Sequence, residues 1–229
     1  MPPKSFGQFC PVSMAAEVIC ARWTPMVARE LLCGPTRFSD LRRGVPRMSP
    51  TPLSQRLKEL EAAGVVRASP GARGTPEYRL TEAGEELRPL IMALGAWGQR
   101  WVESSLSLRN LDPSLLMWDM RRWLRPEPLP ARRRTVQFLY PDLEESRRAW
   151  WLVIEDGEVD LCLEDPGHEV DLLVTAELRA MTAAWMGLSR LGDEVAGGAI
   201  RLDGDLGMAR SIERWLGLSP FAGEARRVA

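Results

Sequence analysis

"SPTPLSQRLKELEAAGVV", residues 49 to 66, decides the fold of the first half of this chain. Ser49 stands where a helix wants its N-cap, and Pro50 takes the first helical position, where a missing N–H costs nothing. Leu53, Leu57 and Leu60 form one inward row at helical spacing, and Gly64 stops the helix before two valines. The opposite face carries Thr51, Ser54, Gln55 and Lys58, which is polar but sparsely charged. Its neighbours say what such a face touches. Upstream, "RFSDLRRG", residues 37 to 44, predicts a short helix with Phe38 and Leu41 inward. Downstream, "VVRASPGARGTPEYRL", residues 65 to 80, predicts a strand, a tip holding Pro70, Gly71, Gly74 and Pro76, and a second strand in which Tyr78 and Leu80 alternate.

Two short helices joined tightly and followed by a basic-tipped hairpin are the parts of a winged helix-turn-helix. In that frame the 49 to 63 helix is a major-groove reader. Gln55 reads adenine with both ends of its amide, the hydroxyls of Ser49, Thr51 and Ser54 are permissive readers, and Arg56 and Lys58 hold phosphate or guanine. Arg37, Ser39, Arg42 and Arg43 on the preceding helix, and Arg73 at the wing tip, complete the expected contacts with double-stranded DNA. Taken alone, the helix reads equally well as a core helix with a solvated face; the wing tips the balance.

Further out, "PVSMAAEVICARW", residues 11 to 23, places Val12, Ala15, Ala16, Ile19 and Trp23 on one stripe of an amphipathic helix. "TPMVARELLCG" follows, with Thr24 as N-cap, Pro25 at the first helical position and Gly34 as the stop. The helix from Thr81 onward carries Leu87, Leu90, Leu94, Trp97 and Trp101 in steps of 3, 4, 3 and 4. That spacing is the seam of a helix pair and implies a homodimer, the competing expectation being that the row packs on the protein's own first helix. Pro89 separates the early turns from this seam.

At this point the residues resemble a known family. "CPVSMAAEVICARWTPMVARELLCGPTRFSDLRRGVPRMSPTPLSQRLKELEAAGVVRA" and "EYRLTEAGEELRPLIMALGAWG" are similar to the HxlR-type winged-helix transcriptional regulators over about residues 9 to 101. The likeness rests on the Cys-Pro opening, Trp23 before a Thr-led helix, "GPTRFSDLRR", "SPTPLSQRLKELEAAG" and "YRLTEAG". It implies a dimeric, sequence-specific DNA-binding repressor or activator, whose operator is an inverted repeat because a two-fold dimer presents two reading helices. Thr51 departs from the basic residue common in the family, and Pro52 is unusual beside it. Cys10 matches the Cys-Pro opening at which some of these regulators sense oxidants, just ahead of a helix start whose dipole favours an anion. Burial is the competing expectation for Cys10, while Cys20 and Cys33 read as small core residues.

The second half changes character. Around residues 106 to 133, "LDPSLLMWDMRRWLRPEPLPARRR" predicts a short helix ending near Leu124 and then a proline-rich bend; "TVQFLY", "AWWLVIEDGEVDLCLE" and "EVDLLVTA" predict strands, with Asp156-Gly157 as a hairpin turn. "ELRAMTAAWMGLSRL" predicts a helix with Leu178, Met181, Trp185 and Leu188 inward, "GGAIRLDGD" a strand, and "LGMARSIERWLGL" a final helix. The order, and "GAIRLDGD" in particular, resembles the sterol-carrier-protein type two fold over roughly residues 108 to 220. That resemblance implies an apolar tunnel for lipid-like ligands between sheet and helices. Trp118, Trp123, Trp150, Trp151 and Trp185 are the candidate lining, since large rings with one donor suit a partly polar hydrophobic ligand; ordinary core is the alternative for each. Trp150 and Trp151 are adjacent on a strand and must face opposite sides.

The whole is α+β: a winged helix-turn-helix domain over residues 1 to 106 for DNA binding and dimerisation, then a sterol-carrier-like domain over 107 to 229 with a mixed sheet packed by helices. Residues 1 to 105 carry 14 Lys+Arg against 10 Asp+Glu, a balance of +4, and the remainder 16 against 21, a balance of −5, so the halves meet different partners. No apolar run is long enough to span a membrane and the N-terminus lacks a signal-peptide core, which points to the cytoplasm. Four scattered cysteines and a single histidine, His168, argue against a metal site, no cofactor motif is visible, and no nucleophile, base and orienting group fall together as an enzyme would need. The expected function is a transcription factor responding to a hydrophobic small molecule. A hydrophobic-ligand carrier dimerised by its N-terminal domain and a thiol-based redox regulator acting through Cys10 are the alternatives. Operator sequence, ligand and sign of regulation are not readable from the residues.

Overall fold

A computed structural model describes residues 5–34, 36–71, 74–103, 105 and 108–228. The chain divides into two compact units, Met1–Gly95 and Ala96–Ala229. Among the described residues no helix is long and apolar enough to cross a membrane.

The first unit runs α1 (Pro11–Ile19), α2 (Thr24–Leu31), β1 (Thr36–Arg37), α3 (Phe38–Gly44), α4 (Pro50–Ala62), β2 (Val66–Pro70), β3 (Pro76–Leu80) and α5 (Glu82–Glu85). The three strands pair antiparallel in the order β1-β3-β2. One core holds the unit together: Val27 and Leu31 of α2, Leu41 of α3, the α4 row Leu53, Leu57 and Leu60, and Val65, Val66 and Leu80 from the wing, all buried. At about 1.5 to 3 kcal/mol for each fully buried aliphatic side chain, the leucine row fixes which face of α4 is left for solvent.

The "TEAG" motif of residues 81–84 has a mechanical explanation. Thr81 Oγ1 donates to the Gly64 carbonyl at 2.6 Å and accepts from the Gly84 N–H at 3.2 Å, capping α5 while tying it to the end of α4. Gly84 is packed so tightly there that an added Cβ would sit 2.2 Å from the Val65 carbonyl oxygen. Gly64 itself adopts φ +72°, the left-handed conformation that ends a helix.

Three local expectations are corrected. Thr24 is not the cap of α2: Trp23 occupies that position at φ 76°, Thr24 is the first helical residue, and its Oγ1 is buried without a hydrogen-bond partner. Ser49 holds the N-cap position of α4, but its side chain makes no capping hydrogen bond. The stripe on α1 does not face the core, since α1 has no buried residue and Val12 is exposed; Val18 and Trp23 alone of this segment pack, half-buried, on the core cluster.

The helix α6 (Arg88–Trp101) starts one residue before Pro89, so the proline falls in the first turn, where its missing N–H is tolerated, and α5 is a separate short helix. Its residues from Ala96 onward belong to the second unit.

The second unit continues with α7 (Pro113–Trp123), β4 (Arg134–Leu139), β5 (Ala149–Glu155), β6 (Glu158–Cys162), β7 (Leu172–Ala176), α8 (Leu178–Trp185), α9 (Leu191–Ala196), β8 (Ile200–Gly204), α10 (Leu206–Arg210) and α11 (Ile212–Trp215). The sheet is mixed, in the order β6-β5-β4-β7-β8, with β4 and β7 parallel and every other pair antiparallel. Asp156 and Gly157 both take positive φ, 52° and 81°, as a two-residue hairpin of the twist-matching type requires. Strand alternation directs Val136, Phe138, Trp150, Leu152, Ile154, Leu172, Val174 and Ile200 into one core with Met117 and Met120 of α7, Leu178, Met181 and Trp185 of α8, and Ile212 and Trp215 of α11.

Two helices break where one was expected. Gly187, at φ +71°, turns the chain after α8, so Leu188 is only half-buried and lies off that helix. The last helix divides at Ser211, whose Oγ donates back to the Gly207 carbonyl at 2.7 Å, a local bond that competes with helix continuation. The buried Trp215 indole is satisfied by the Met208 carbonyl at 2.9 Å.

Candidate nucleic-acid interface

Helix α4 presents the surface anticipated for it. With Leu53, Leu57 and Leu60 inward, Thr51, Gln55 and Lys58 are exposed on the other side, and Ser54 and Arg56 are half-buried at its flank. Ser49 is exposed at the helix start, and α3 exposes Ser39, Arg42 and Arg43. Arg43 is ion-paired with Asp40 at 3.5 Å. Arg37 lies on β1, exposed, opposite Glu77 in the β1–β3 register. Arg73 falls outside the described residues. The packing of α3, α4 and β3 around Leu41, Leu57 and Leu80 therefore brings all the other expected contacts onto one small domain.

The candidate interface has a further feature that the sequence reading did not name. Glu59 sits one turn beyond Gln55 and accepts from its Nε2 at 3.0 Å; the same carboxylate pairs with Arg56 Nη1. On the wing, Arg67 and Arg79 are direct cross-strand partners, both exposed, and Arg79 also pairs with Glu77 at 3.2 Å. Like charges placed opposite each other destabilise a ladder unless an anion comes between them. The signal was present in the alternation of Val66-Arg67 and Arg79-Leu80: with the apolar residue of each pair turned inward, the arginine must turn out.

The candidate sensor residues are not brought together. Trp150 and Trp185 share the second core. Trp151 is buried on the opposite side of the sheet, paired in register with Gln137 and Cys162. Trp118 is buried with the guanidinium carbons of Arg121 and Arg122 at 4.8 and 5.6 Å from its ring centroid, and Trp123 is exposed. Burial, with Asp160 beside it, pushes the Cys162 thiol up, and burial likewise raises the Tyr140 hydroxyl, which donates to Met117 Sδ at 3.2 Å. Cys10, Cys20 and Cys33 are all exposed, contrary to the expectation of small core residues at 20 and 33.

A compact helix pair whose second helix leaves a polar face outside, followed by a two-stranded wing, defines a winged helix-turn-helix DNA-binding protein. The comparisons with known proteins agree. The model of the HxlR-like helix-turn-helix family matches residues 18–106. The HTH-type transcriptional regulator YvaP of Bacillus subtilis is 35% identical over 102 residues, which are 43% of this chain and 94% of YvaP. YkvN of the same organism, also an HTH-type transcriptional regulator, is 38% identical over 41% of this chain and 81% of its own length. Among solved structures, the redox regulator HypR in its reduced form matches 39% of this chain and 91% of its own at 32% identity, with a TM-score of 0.37. The chain belongs to the HxlR-like helix-turn-helix family and is a transcriptional regulator of that type.

Proposed function

We propose that the protein binds an inverted-repeat operator as a homodimer, with residues 1 to 106 reading DNA and joining the two copies, and residues 107 to 229 acting as a sterol-carrier-like sensor of a hydrophobic molecule. The DNA contacts are Arg37, Ser39, Arg42, Arg43, Ser49, Thr51, Ser54, Gln55, Arg56 and Lys58, with Arg73 at the wing tip.

The observation that carries the dimer is the outer face of α6. Leu90 and Leu94 of the first unit are each 53% exposed, and Trp97 and Trp101 of the second unit are 58% and 50% exposed. Leu87 differs, being half-buried against the first unit's own core. Phe9, Val12 and Met14 of the α1 segment are exposed too. Large apolar side chains left exposed at the spacing of a helix seam suit an interface. Leu94→Asp should leave each chain folded, because residue 94 meets solvent in the single chain, and should convert a sedimenting dimer to monomer while abolishing tight operator binding. A Leu94→Asp protein that remains dimeric at micromolar concentration overturns the assignment.

The sensor reading draws support from a mixed sheet whose core is shared with α7, α8 and α11, and from Trp150 and Trp185 within that core. A carrier without regulatory output fits the family membership less well.

A second reading concerns Cys10, whose thiol is exposed at the N-cap position of the nine-residue α1. An exposed thiol at a helix start suits oxidant sensing. Diamide should then alter operator affinity of the natural protein and leave Cys10→Ser unaffected; equal responses remove this reading.

A further inference from the structure

Arg67 of β2 and Arg79 of β3 are direct partners across the wing, and both are exposed. From this register, and resting on the reading of the first unit as a DNA-binding domain, we infer that the two guanidiniums form a clamp for a single backbone phosphate, set on the flat of the wing and not at its tip.

The ladder builds the clamp and the core holds it in place. Side chains directly opposite on one face of an antiparallel pair have their Cβ atoms about 4.5 to 5.5 Å apart, so two arginines in that relation carry their charges side by side. The strands cannot slide to separate them. Val66 and Leu80, the next partners in the ladder, are buried in the core of the first unit, and a slip of one residue would turn an arginine into that core. Like charges directly opposite destabilise a ladder, so the free protein carries a repulsion here that a bound anion removes.

The rest of the face does not cancel the charge. Glu77 precedes Arg79 on the same side of β3, and its carboxylate meets Arg79 Nη2 at 3.2 Å. Glu77 is also the register partner of Arg37 on β1 and of Ser69 on β2. One carboxylate therefore stands among three guanidiniums on this face, those of Arg37, Arg67 and Arg79. Arg37 is at the same time the N-cap residue of α3, which makes the face continuous with the start of the helix-turn-helix.

A phosphate diester suits this arrangement in charge and in shape. It has one negative charge shared by two unesterified oxygens, and a guanidinium donates parallel N–H bonds to such an oxyanion. Two forks converging on one phosphate satisfy both oxygens, and the anion between the arginines turns their repulsion into attraction. The contact is to the sugar–phosphate backbone, so it adds affinity for any duplex and no base preference. That complements α4, where Arg56 is already paired with Glu59 and Lys58 is exposed.

The test compares the full-length natural protein with Arg67→Gln, Arg79→Gln and the double variant over a range of salt concentrations, on an operator selected from randomised duplexes and on an unrelated duplex. Each single variant should bind both duplexes more weakly by the same factor, on the order of tenfold, with base preference unchanged. Two arginines on one phosphate account for one phosphate's worth of salt dependence, so the slope of the double variant should be shallower by about 0.9, against about 1.8 for two separate phosphates. A flattening of about 1.8 would overturn the shared clamp, as would a double variant with the natural affinity and slope. Without DNA, Arg67→Gln should melt higher than the natural protein at low salt and level with it at high salt, because it removes a repulsion that salt screens. A lower melting temperature would show that Arg67 serves the fold, and the clamp would fall. Lys58→Ala and Gln55→Ala test the underlying reading separately. If they alter operator binding while the arginine variants are silent, the clamp alone fails; if all of these variants are silent, the DNA face assigned to the first unit fails with it.

Discussion

Arg226 closes the end of α6 on Gln99: its Nη1 donates to the Gln99 carbonyl at 3.2 Å and its Nη2 to the Val102 carbonyl at 2.6 Å. The last carbonyls of a helix have no partner within it, and a cation there also meets the negative end of the helix dipole. The backbone of Arg227 adds a bond to the Arg100 carbonyl at 2.8 Å, while the Gln99 side chain donates to the Met186 carbonyl at 2.8 Å. The segment around residue 226 is thus a cap for α6 supplied from more than a hundred residues away in sequence.

Arg226→Ala should cost about 1 to 2 kcal/mol, the worth of charge-assisted bonds at a half-exposed site. Amide exchange at the end of α6 should quicken, most visibly at Val102. Urea unfolding and exchange together check this; unchanged protection at residues 99 to 102 would mean that the cap is formed by other groups.

Gly84→Ala should destabilise the first unit by about 3 kcal/mol, because the new methyl meets the Val65 carbonyl oxygen at 2.2 Å and neither backbone segment can yield without disturbing the wing. Gly98→Ala is the matched contrast. Nothing lies within 4 Å of its added Cβ, and the residue is inside α6, so a gain of about 0.5 to 1 kcal/mol is expected. Thermal unfolding of the two variants should move in opposite directions.

Asp205 governs part of the acid response of the second unit. Its carboxyl is held below the ordinary aspartate value of 3.8, first by the Met208 N–H, then by the Gly207 N–H and the Arg134 and Arg132 guanidiniums. A depressed folded-state pKa stabilises the native form above the unfolded value, and that contribution disappears as pH falls below about 4 and through the folded value. Asp205→Asn retains an N-cap oxygen for α10 but removes the titration, so its melting temperature should decline less steeply in that window. Parallel curves for the two proteins below pH 4 would assign the acid response elsewhere.

A hydrophobic effector should raise the melting temperature of the full chain and quench its tryptophans. At a hundredfold excess over Kd the stabilisation is about 2.7 kcal/mol. Trp185→Phe should reduce the quenching and weaken binding, and DNA should change effector affinity by the same factor that the effector changes DNA affinity. A flat screen across lipids and aromatic metabolites would make the second unit a scaffold.

The residues alone determined every element whose information is local. Leu53, Leu57 and Leu60 imposed the orientation of α4 because a helix can bury only one face, and the same row left Thr51, Gln55 and Lys58 outside. Asp156-Gly157 specified its hairpin because few residues accept positive φ, and Pro89 separated α5 from α6 because proline is tolerated only in a first turn. Tertiary structure decided what depends on partners distant in the chain. The stripe on α1 was amphipathic, yet the α2 to α4 core closed without it and left Val12 in solvent. The tryptophans of the second half were alike as residues, and the assembled core enclosed Trp150 and Trp185 together, left Trp123 exposed and set Trp118 against a pair of arginines. Period and propensity describe which side of an element is apolar; only the assembled core determines which apolar sides find each other, because burial depends on the shape left between elements and not on any one of them.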